Sequence, residues 1–263
     1  MDMTIQQVID IIVAATPGAP FPQTVDTIKT GDPAQQVTRI VTAFSASHQT
    51  IQQAIELGAN LIVTHEPTFY NHRDETKWLH DDPVYKAKRR LLEEHNIVVW
   101  RFHDYLHAQK PDRTLAQLLR RMAWESYALP EMPELCHIPP VPLQELLEQL
   151  QTRLDCKGLR FVGDPALVCR GVGVLVGAPG GEMQIGVLGR EDVDVLVCGE
   201  ISEWETSEYA RDALQQGRKK ALVIIGHAVS EEPAMADVGA WLKSRLPGIA
   251  VTFLPGANPI EWL

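Results

Sequence analysis

Three short apolar stretches of this sequence each end in a histidine with a carboxylate beside it or one helical turn away. The stretches lead to His65 and Glu66, to His103, Asp104 and His107, and to His227 and Glu231. Ligands bind at the carboxyl ends of strands in open α/β sheets. One such histidine is more often structural than functional, but three are difficult to explain by packing, because unpaired ionisable groups are costly to bury. The repetition predicts a metal or catalytic cluster.

The donor types indicate which ions would bind. Imidazole and carboxylate groups without a thiolate suit divalent Zn, Mn, Fe, Co or Ni. The set exceeds what one tetrahedral ion needs, so the sequence predicts two ions roughly 3.5 to 4 Å apart that activate a water molecule. This chemistry favours hydrolysis.

Local geometry decides which of these side chains can converge. His227 and Glu231 are four residues apart and share one face if a helix follows the strand. Asp104 and His107 converge likewise if a helix begins at Asp104, and either of them is a candidate ligand. Glu66 reaches the site of His65 if the backbone turns after the strand. His103 is the candidate acid/base residue, or a partner that holds a ligand.

The elements that position these residues alternate between strands and helices. In the first half, periodicity predicts helices at 3–15, 49–57, 84–95 and 115–124, and strands at 38–44, 60–64 and 97–102. A strand-helix-strand connection of this length implies parallel strands.

The second half repeats the order helix, glycine, strand, histidine. Helices are predicted at 143–154 and 202–216, and strands at 160–162, 170–175, 193–198 and 221–226. Five prolines crowd residues 128–142, which predicts a linker. The expected architecture is α/β, with two similar lobes, at 1–127 and 143–263, built on mixed, largely parallel sheets.

Composition excludes several function classes. The formal net charge of -10 and the pI near 5.4 argue against a nucleic-acid or anionic membrane surface. Four widely spaced cysteines form no CxxC pair. The N-terminus lacks the pattern of a signal peptide and no apolar run reaches membrane-spanning length, so a cytoplasmic protein is expected.

A glycine-rich stretch, Gly177 to Gly181, suggests a different function. Such a loop after a strand can cradle phosphate, but this one lacks the P-loop lysine and the dinucleotide spacing. A metal-free nucleotide-binding module is therefore an alternative hypothesis, and a turn is the favoured interpretation.

Four segments resemble those of a known family. Leu61 to Pro67 is similar to its strand ending in His-His-Pro, and Gly226 to Glu231 to its Gly-His-x-x-[Ser/Thr]-Glu. Asp194 to Glu200 resembles its Asp-Val-Leu-Ile-Thr-Gly-Glu, and His103 to Ala108 its His-Thr-Asn-Leu-Asp-Ala. The family is the YbgI-like dinuclear metal-centre proteins, also called NGG-interacting-factor-three-like and often labelled GTP cyclohydrolase 1 type 2 homologues.

The resemblance implies two α/β lobes, two metal ions in the cleft between them and a toroidal homo-hexamer. His65, His227 and Glu231 match metal ligands of the family, while Glu66 stands in place of its second histidine and His107 in place of its aspartate. The leading hypothesis is a metal-dependent hydrolase of an unidentified small molecule, GTP cyclohydrolase type 2-like by resemblance. The alternative is a non-catalytic metal-binding or adaptor protein.

Overall fold

A strand near the C-terminus completes the N-terminal sheet, so the two compact units of this computed structural model do not follow chain order. The structure describes residues 3–256 and 259–260. The N-terminal unit runs to Arg113 and takes in the chain again from Ala234, and the C-terminal unit runs from Thr114 to Pro233. Each unit has its own sheet and core.

The N-terminal unit alternates short strands with amphipathic helices. Its elements before the boundary are α1 (Ile5–Ala14), β1 (Ile28–Thr30), β2 (Arg39–Ala43), α2 (His48–Glu56), β3 (Leu61–Thr64), α3 (Pro83–Glu94), β4 (Val98–Arg101) and α4 (Asp104–His107). Caps define several helix starts: the Thr4 side chain accepts from Gln7 N–H, the Ser47 side chain from Thr50 N–H and the Asp82 side chain from Tyr85 N–H.

The C-terminal unit follows. Its elements are α5 (Arg113–Met122), β5 (Ala128–Leu129), β6 (Met132–Pro142), α6 (Leu143–Leu154), β7 (Arg160–Val162), β8 (Val168–Leu175), α7 (Gly181–Leu188), β9 (Val195–Cys198), α8 (Glu208–Gln215) and β10 (Ala221–Ile224). Helix α9 (His227–Arg245) begins in this unit and continues into the N-terminal one, where strand β11 (Ala250–Phe253) ends the order.

The N-terminal sheet has the order β1-β4-β3-β2-β11, and only its β1–β4 pairing is antiparallel. Alternate residues of β3 face opposite sides: Leu61 and Val63 pack with α1, and Ile62 packs with α2. Both faces are therefore apolar, as expected for a parallel sheet.

The C-terminal sheet has the order β5-β6-β8-β9-β10-β7. Pairings β8–β9 and β9–β10 are parallel, and the other three are antiparallel. Mixed α/β units are thus confirmed, although parallel pairs predominate only in the N-terminal sheet.

The predicted linker at 128–142 is wrong, because these residues form β5 and β6. Strand β6 pairs antiparallel with β8, and its register shifts between His137 and Val141. Pro139 and Pro140 lie within that shift, where a missing N–H donor costs the ladder least. The density of prolines alone does not distinguish a linker from a strand whose pairing is interrupted.

The compact units also differ from the predicted boundaries at 127 and 143. Helix α5 belongs to the C-terminal unit because its Leu118 and Leu119 pack with α6. The later turns of α9 belong to the N-terminal unit, where Met235 and Val238 join the core of α1, and β11 pairs with β2. None of the helices in the described part of the chain combines the length and the apolar character of a membrane span.

Candidate metal-binding sites

Three histidines of the N-terminal unit meet at the carboxyl edge of its sheet. Parallel strands β3 and β4 end in register, with Thr64 opposite Arg101. His65 follows β3, His103 follows β4 by one further residue, and His107 lies one turn later at the end of α4. The pairing of β3 with β4, together with the short helix α4, therefore brings residues 42 positions apart to one point.

The three imidazoles are close enough to share one ion. Each offers a ligand atom, and these atoms lie within 4.8 Å of one another. Ring centroids are 4.8 Å apart for His65 and His103, 4.8 Å for His103 and His107, and 5.2 Å for His65 and His107. Glu66 adds a carboxylate, with Oε1 3.9 Å from His65 Nε2. The side chain of His65 is fully buried.

Each of these rings has its Nδ1 beside a hydrogen-bond acceptor. His65 Nδ1 lies 3.1 Å from the Phe102 carbonyl oxygen, His103 Nδ1 2.9 Å from Asp104 Oδ1, and His107 Nδ1 2.9 Å from Asp112 Oδ2. An acceptor beside Nδ1 favours the tautomer with the proton on Nδ1, in which Nε2 is the nitrogen that can ligate an ion. Metal-binding histidines in proteins are commonly held in this way.

Electrostatics keep His103 neutral. Burial, followed by repulsion from His65, lowers the pKa of His103 to about 3. Burial alone would raise the pKa of Asp104, but hydrogen bonds from His103, Val25 N–H and the Thr24 hydroxyl lower it below its usual range. A neutral imidazole beside an ionised carboxylate has the protonation state that a metal ligand requires.

A buried aspartate that no sequence pattern pointed to, Asp26, holds this group. Asp26 Oδ1 accepts from the N–H groups of His103 and Asp104 at 2.8 and 3.0 Å, and its Oδ2 accepts from Tyr105 N–H at 2.8 Å. Burial raises the pKa of Asp26, and these three N–H groups oppose the rise. Asp26 therefore fixes the start of α4, with His103 just before it and His107 at its end.

Arg101 was also missed, although an arginine inside an apolar strand was a visible signal. It is fully buried, and its guanidinium donates to the carbonyl oxygens of His65 and His72. Both carbonyls belong to the loop after β3. Arg101 thus holds the backbone that carries His65 and Glu66.

The C-terminal unit contains a second histidine and carboxylate group. His227 follows β10 at the first position of α9, and Glu231 lies one helical turn further, as the spacing predicts. His227 Nε2 is 2.9 Å from Glu231 Oε2, and His227 Nδ1 is 2.9 Å from Glu200 Oε2. Glu200, which follows the neighbouring parallel strand β9, was assigned no role from the sequence.

The glycine-rich loop packs against this pair. A Cβ at Gly177 would lie 2.4 Å from Glu231 Oε1, so only glycine fits here without displacing the carboxylate. Gly177 N–H donates to Ser230 Oγ, which itself donates to the His227 carbonyl, and the Gly177 carbonyl accepts from Glu200 N–H. With its polar groups committed, Gly177 positions Glu231, in agreement with the favoured interpretation of a turn.

Within the N-terminal unit, His65, His103 and His107 converge and Glu66 lies beside His65. Within the C-terminal unit, His227 pairs with Glu231. Asp104 contacts His103, Thr24 and Val25 rather than standing among the convergent nitrogens. The convergence of three imidazoles fits a divalent transition metal ion.

This fold and these groups define a mixed α/β protein with histidine and carboxylate groups at the carboxyl ends of parallel strands that could hold a metal ion. The chain matches the Duf34/NIF3 (NGG1p interacting factor 3) family over residues 3–259, and it belongs to that family. The resemblance found in the sequence motifs is confirmed.

Several relatives cover most of the chain. A GTP cyclohydrolase 1 type 2 homolog of Escherichia coli K12 is 28% identical over 233 residues, covering 86% of this chain and 87% of the relative. A protein of the same name from Clostridium perfringens is 23% identical, covering 82% of each.

Solved structures share the fold. Protein ybgI, described as of unknown function, superposes with a TM-score of 0.79 at 23% identity, covering 98% of this chain and 100% of its own. A Bacillus cereus protein related to NIF3 has a TM-score of 0.77 at 15% identity, covering 100% of this chain and 99% of its own.

Proposed function

We propose that this protein is a metal-dependent hydrolase that binds two divalent transition metal ions per chain. His65, His103 and His107 hold one ion in the N-terminal unit, with Glu66 as an additional donor. His227 and Glu231 hold the other in the C-terminal unit. The observation that carries the proposal is the convergence of three imidazoles whose Nδ1 atoms are all engaged by acceptors.

The residues around the N-terminal ion prepare its ligands. Asp104 and Asp112 accept the Nδ1 protons of His103 and His107 and so orient both Nε2 lone pairs. His103, considered from the sequence as an acid/base residue, is reassigned as a ligand because its lowered pKa makes it a poor proton carrier at neutral pH. Asp104 becomes its holder, and His107 rather than Asp104 is the ligand.

A divalent ion in such a site would supply Lewis-acid activation of water or of a substrate oxygen. Relatives named GTP cyclohydrolase 1 type 2 homolog make a purine nucleotide the first substrate to test. Phosphate esters and cyclic amides extend the panel, because activated water attacks all of these electrophiles. The homo-hexamer implied by the resemblance stays a prediction. Light scattering tests it by measuring the molar mass of the particle in solution.

The alternative is a metal-binding or adaptor protein without turnover, and the position of Glu66 favours it. Three imidazoles and Glu66 would fill a tetrahedral site, as in structural zinc centres, whereas turnover would require Glu66 to leave one position to water. Replacing zinc with Co(II) distinguishes the two, because the absorption spectrum of cobalt reports coordination number. A spectrum that changes on adding azide indicates an open position.

The decisive experiment combines metal analysis with turnover. We expect about two equivalents of metal per chain and hydrolysis of at least one substrate class. His65→Ala should lose both one equivalent and the activity. His80→Ala is the matched control, since His80 also lies beside an aspartate but is exposed. Bound metal with no turnover for any of Zn, Mn, Fe, Co or Ni would support the adaptor instead.

A further inference from the structure

The C-terminal unit contains a cavity of about 500 Å³ that the metal chemistry does not use. It lies between the turn after β7 and the turn between α8 and β10. Its volume falls within the range of small-molecule sites, roughly 300 to 1,000 Å³. The basic run Arg218, Lys219 and Lys220 lines it.

The charge of the lining favours an anion. The lining includes three basic residues, Arg218, Lys219 and Lys220, and one acidic residue, Asp164. Asp164 Oδ1 accepts from Ala166 N–H, which commits it to shaping the turn. Among the described residues, no carboxylate forms an ion pair with Arg218 or Lys219. Arg218 Nε donates to the uncharged side chain of Gln216. Both residues therefore keep a positive charge that no ion pair neutralises within the described part of a chain whose formal net charge is -10.

Anchored backbone gives the cavity fixed walls. Lys220 donates from its ammonium to the carbonyl oxygens of Arg190 and Val193, so its aliphatic stem forms part of the lining. Gly217, at φ +72°, makes the left-handed turn that ends α8, and its N–H donates to the Leu214 carbonyl. The cations thus project from a tight turn.

The other walls are apolar. Leu167, Val168 and Leu214 line the cavity, and Val168 is 54% exposed. Apolar surface next to unpaired cations matches a ligand with a charged head and an apolar body. A bare inorganic ion would leave this surface uncovered.

We propose that this cavity binds a small organic anion, a carboxylate or phosphate carried on an apolar or aromatic body, with Arg218 and Lys219 contacting the head. The site is independent of the metal ligands. The ligand is either a substrate-like metabolite or an effector, and in both cases the same residues recognise it.

Calorimetric titration with phenyl phosphate and with 2-naphthoate tests the site, and 2-naphthalenemethanol serves as an uncharged comparison. We expect saturable binding of at least one anion and little of the alcohol. Arg218→Ala/Lys219→Ala should weaken binding at least about tenfold, the value of one lost charge-assisted contact. Comparing the two anions shows whether the head is a phosphate or a carboxylate.

Two further variants control for charge and folding. Ala166→Trp obstructs part of the cavity without removing a cation and should also weaken binding. Lys86→Ala/Arg90→Ala removes two exposed cations from α3 and should change nothing. Binding that survives both cavity variants in folded protein, or no saturable binding of either anion below about 1 mM, a free energy of about 4 kcal/mol, would overturn the proposal.

Discussion

The histidine groups of the two units are positioned by the same backbone arrangement but contain different types of ligand side chain. In both units a histidine follows a parallel strand, and a second donor lies one helical turn after a strand-end histidine. The N-terminal group offers three imidazoles whose ligand atoms cluster within 4.8 Å, whereas the C-terminal group places one imidazole between two carboxylates. Strand ends therefore fix where donors converge, and side-chain identity sets which ion each group prefers.

The means of support differ as well. In the N-terminal unit the buried side chains Asp26 and Arg101 hold the backbone around the histidines. In the C-terminal unit backbone and hydroxyl contacts of Gly177 and Ser230 do so. The N-terminal group depends on buried charged side chains, whereas the C-terminal group depends on close packing. Substitutions should therefore affect the two groups in different ways.

Removing one ligand from each group should give the largest effects. His103→Ala and His227→Ala should each lose about one equivalent of metal, with the affinity at that position falling by more than about 100-fold, because even outer partners contribute 10- to 100-fold. Elemental analysis and titration with a competing chelator measure both quantities.

His80→Ala should keep the full metal content. If His103→Ala retained wild-type metal while His107→Ala and Asp104→Ala each lost an ion, His103 would return to the acid/base role and Asp104 would be a ligand.

Lys88 makes the N-terminal unit sensitive to alkaline pH. Its ammonium is buried and donates to the Thr68 carbonyl, two residues after Glu66. Burial lowers its pKa from 10.5 to about 8, so the folded state binds fewer protons than the unfolded state between these values. Stability should therefore rise with pH across this window, by about 3 kcal/mol from this group.

Urea unfolding of wild type and Lys88→Met at pH 7.5 and 10.5 isolates that contribution. The free energy of unfolding of the wild type should rise relative to that of the variant as pH rises, because the methionine of the variant has no proton to lose. Parallel pH profiles would show that Lys88 titrates normally in the folded protein.

Gly177 tests the reliance of the C-terminal group on packing. Gly177→Ala places a methyl group against Glu231, and Gly58→Ala is a matched control, since Gly58 has a similar φ of +69° but nothing within 4 Å of its Cβ position. The free energy of unfolding of both variants should fall by about 1 kcal/mol, because alanine disfavours the left-handed backbone conformation. Gly177→Ala should lose a further 1 to 3 kcal/mol or so from the clash and should weaken metal binding at His227. Equal losses in the two variants would remove the positioning role.

Much of this arrangement was predictable from local sequence. Apolar runs ending at His65, His103 and His227 predicted the strands. The four-residue spacing of His227 and Glu231 predicted that both side chains lie on one face of a helix. Asp26 was not predictable, because it lies 77 residues before its partner His103 and in no regular element. Glu200 follows a recognisable strand, but only the strand order places it beside His227. Long-range contacts of irregular segments leave no periodic signal.

The smallest expected effects concern the carboxylates that hold the imidazoles. Asp112 lies against His107 with its side chain 31% exposed, whereas Glu200 lies against His227 with its side chain 57% exposed. Water replaces a lost partner more easily at the exposed position. In backgrounds that retain a single ion, Asp112→Asn should weaken metal binding roughly 10- to 100-fold, and Glu200→Gln less than about tenfold. Asp81→Asn, which alters an exposed pair with His80, should change neither affinity. A larger loss for Glu200→Gln than for Asp112→Asn would mean that Glu200 contacts the ion itself, and the C-terminal group would then contain two carboxylate ligands.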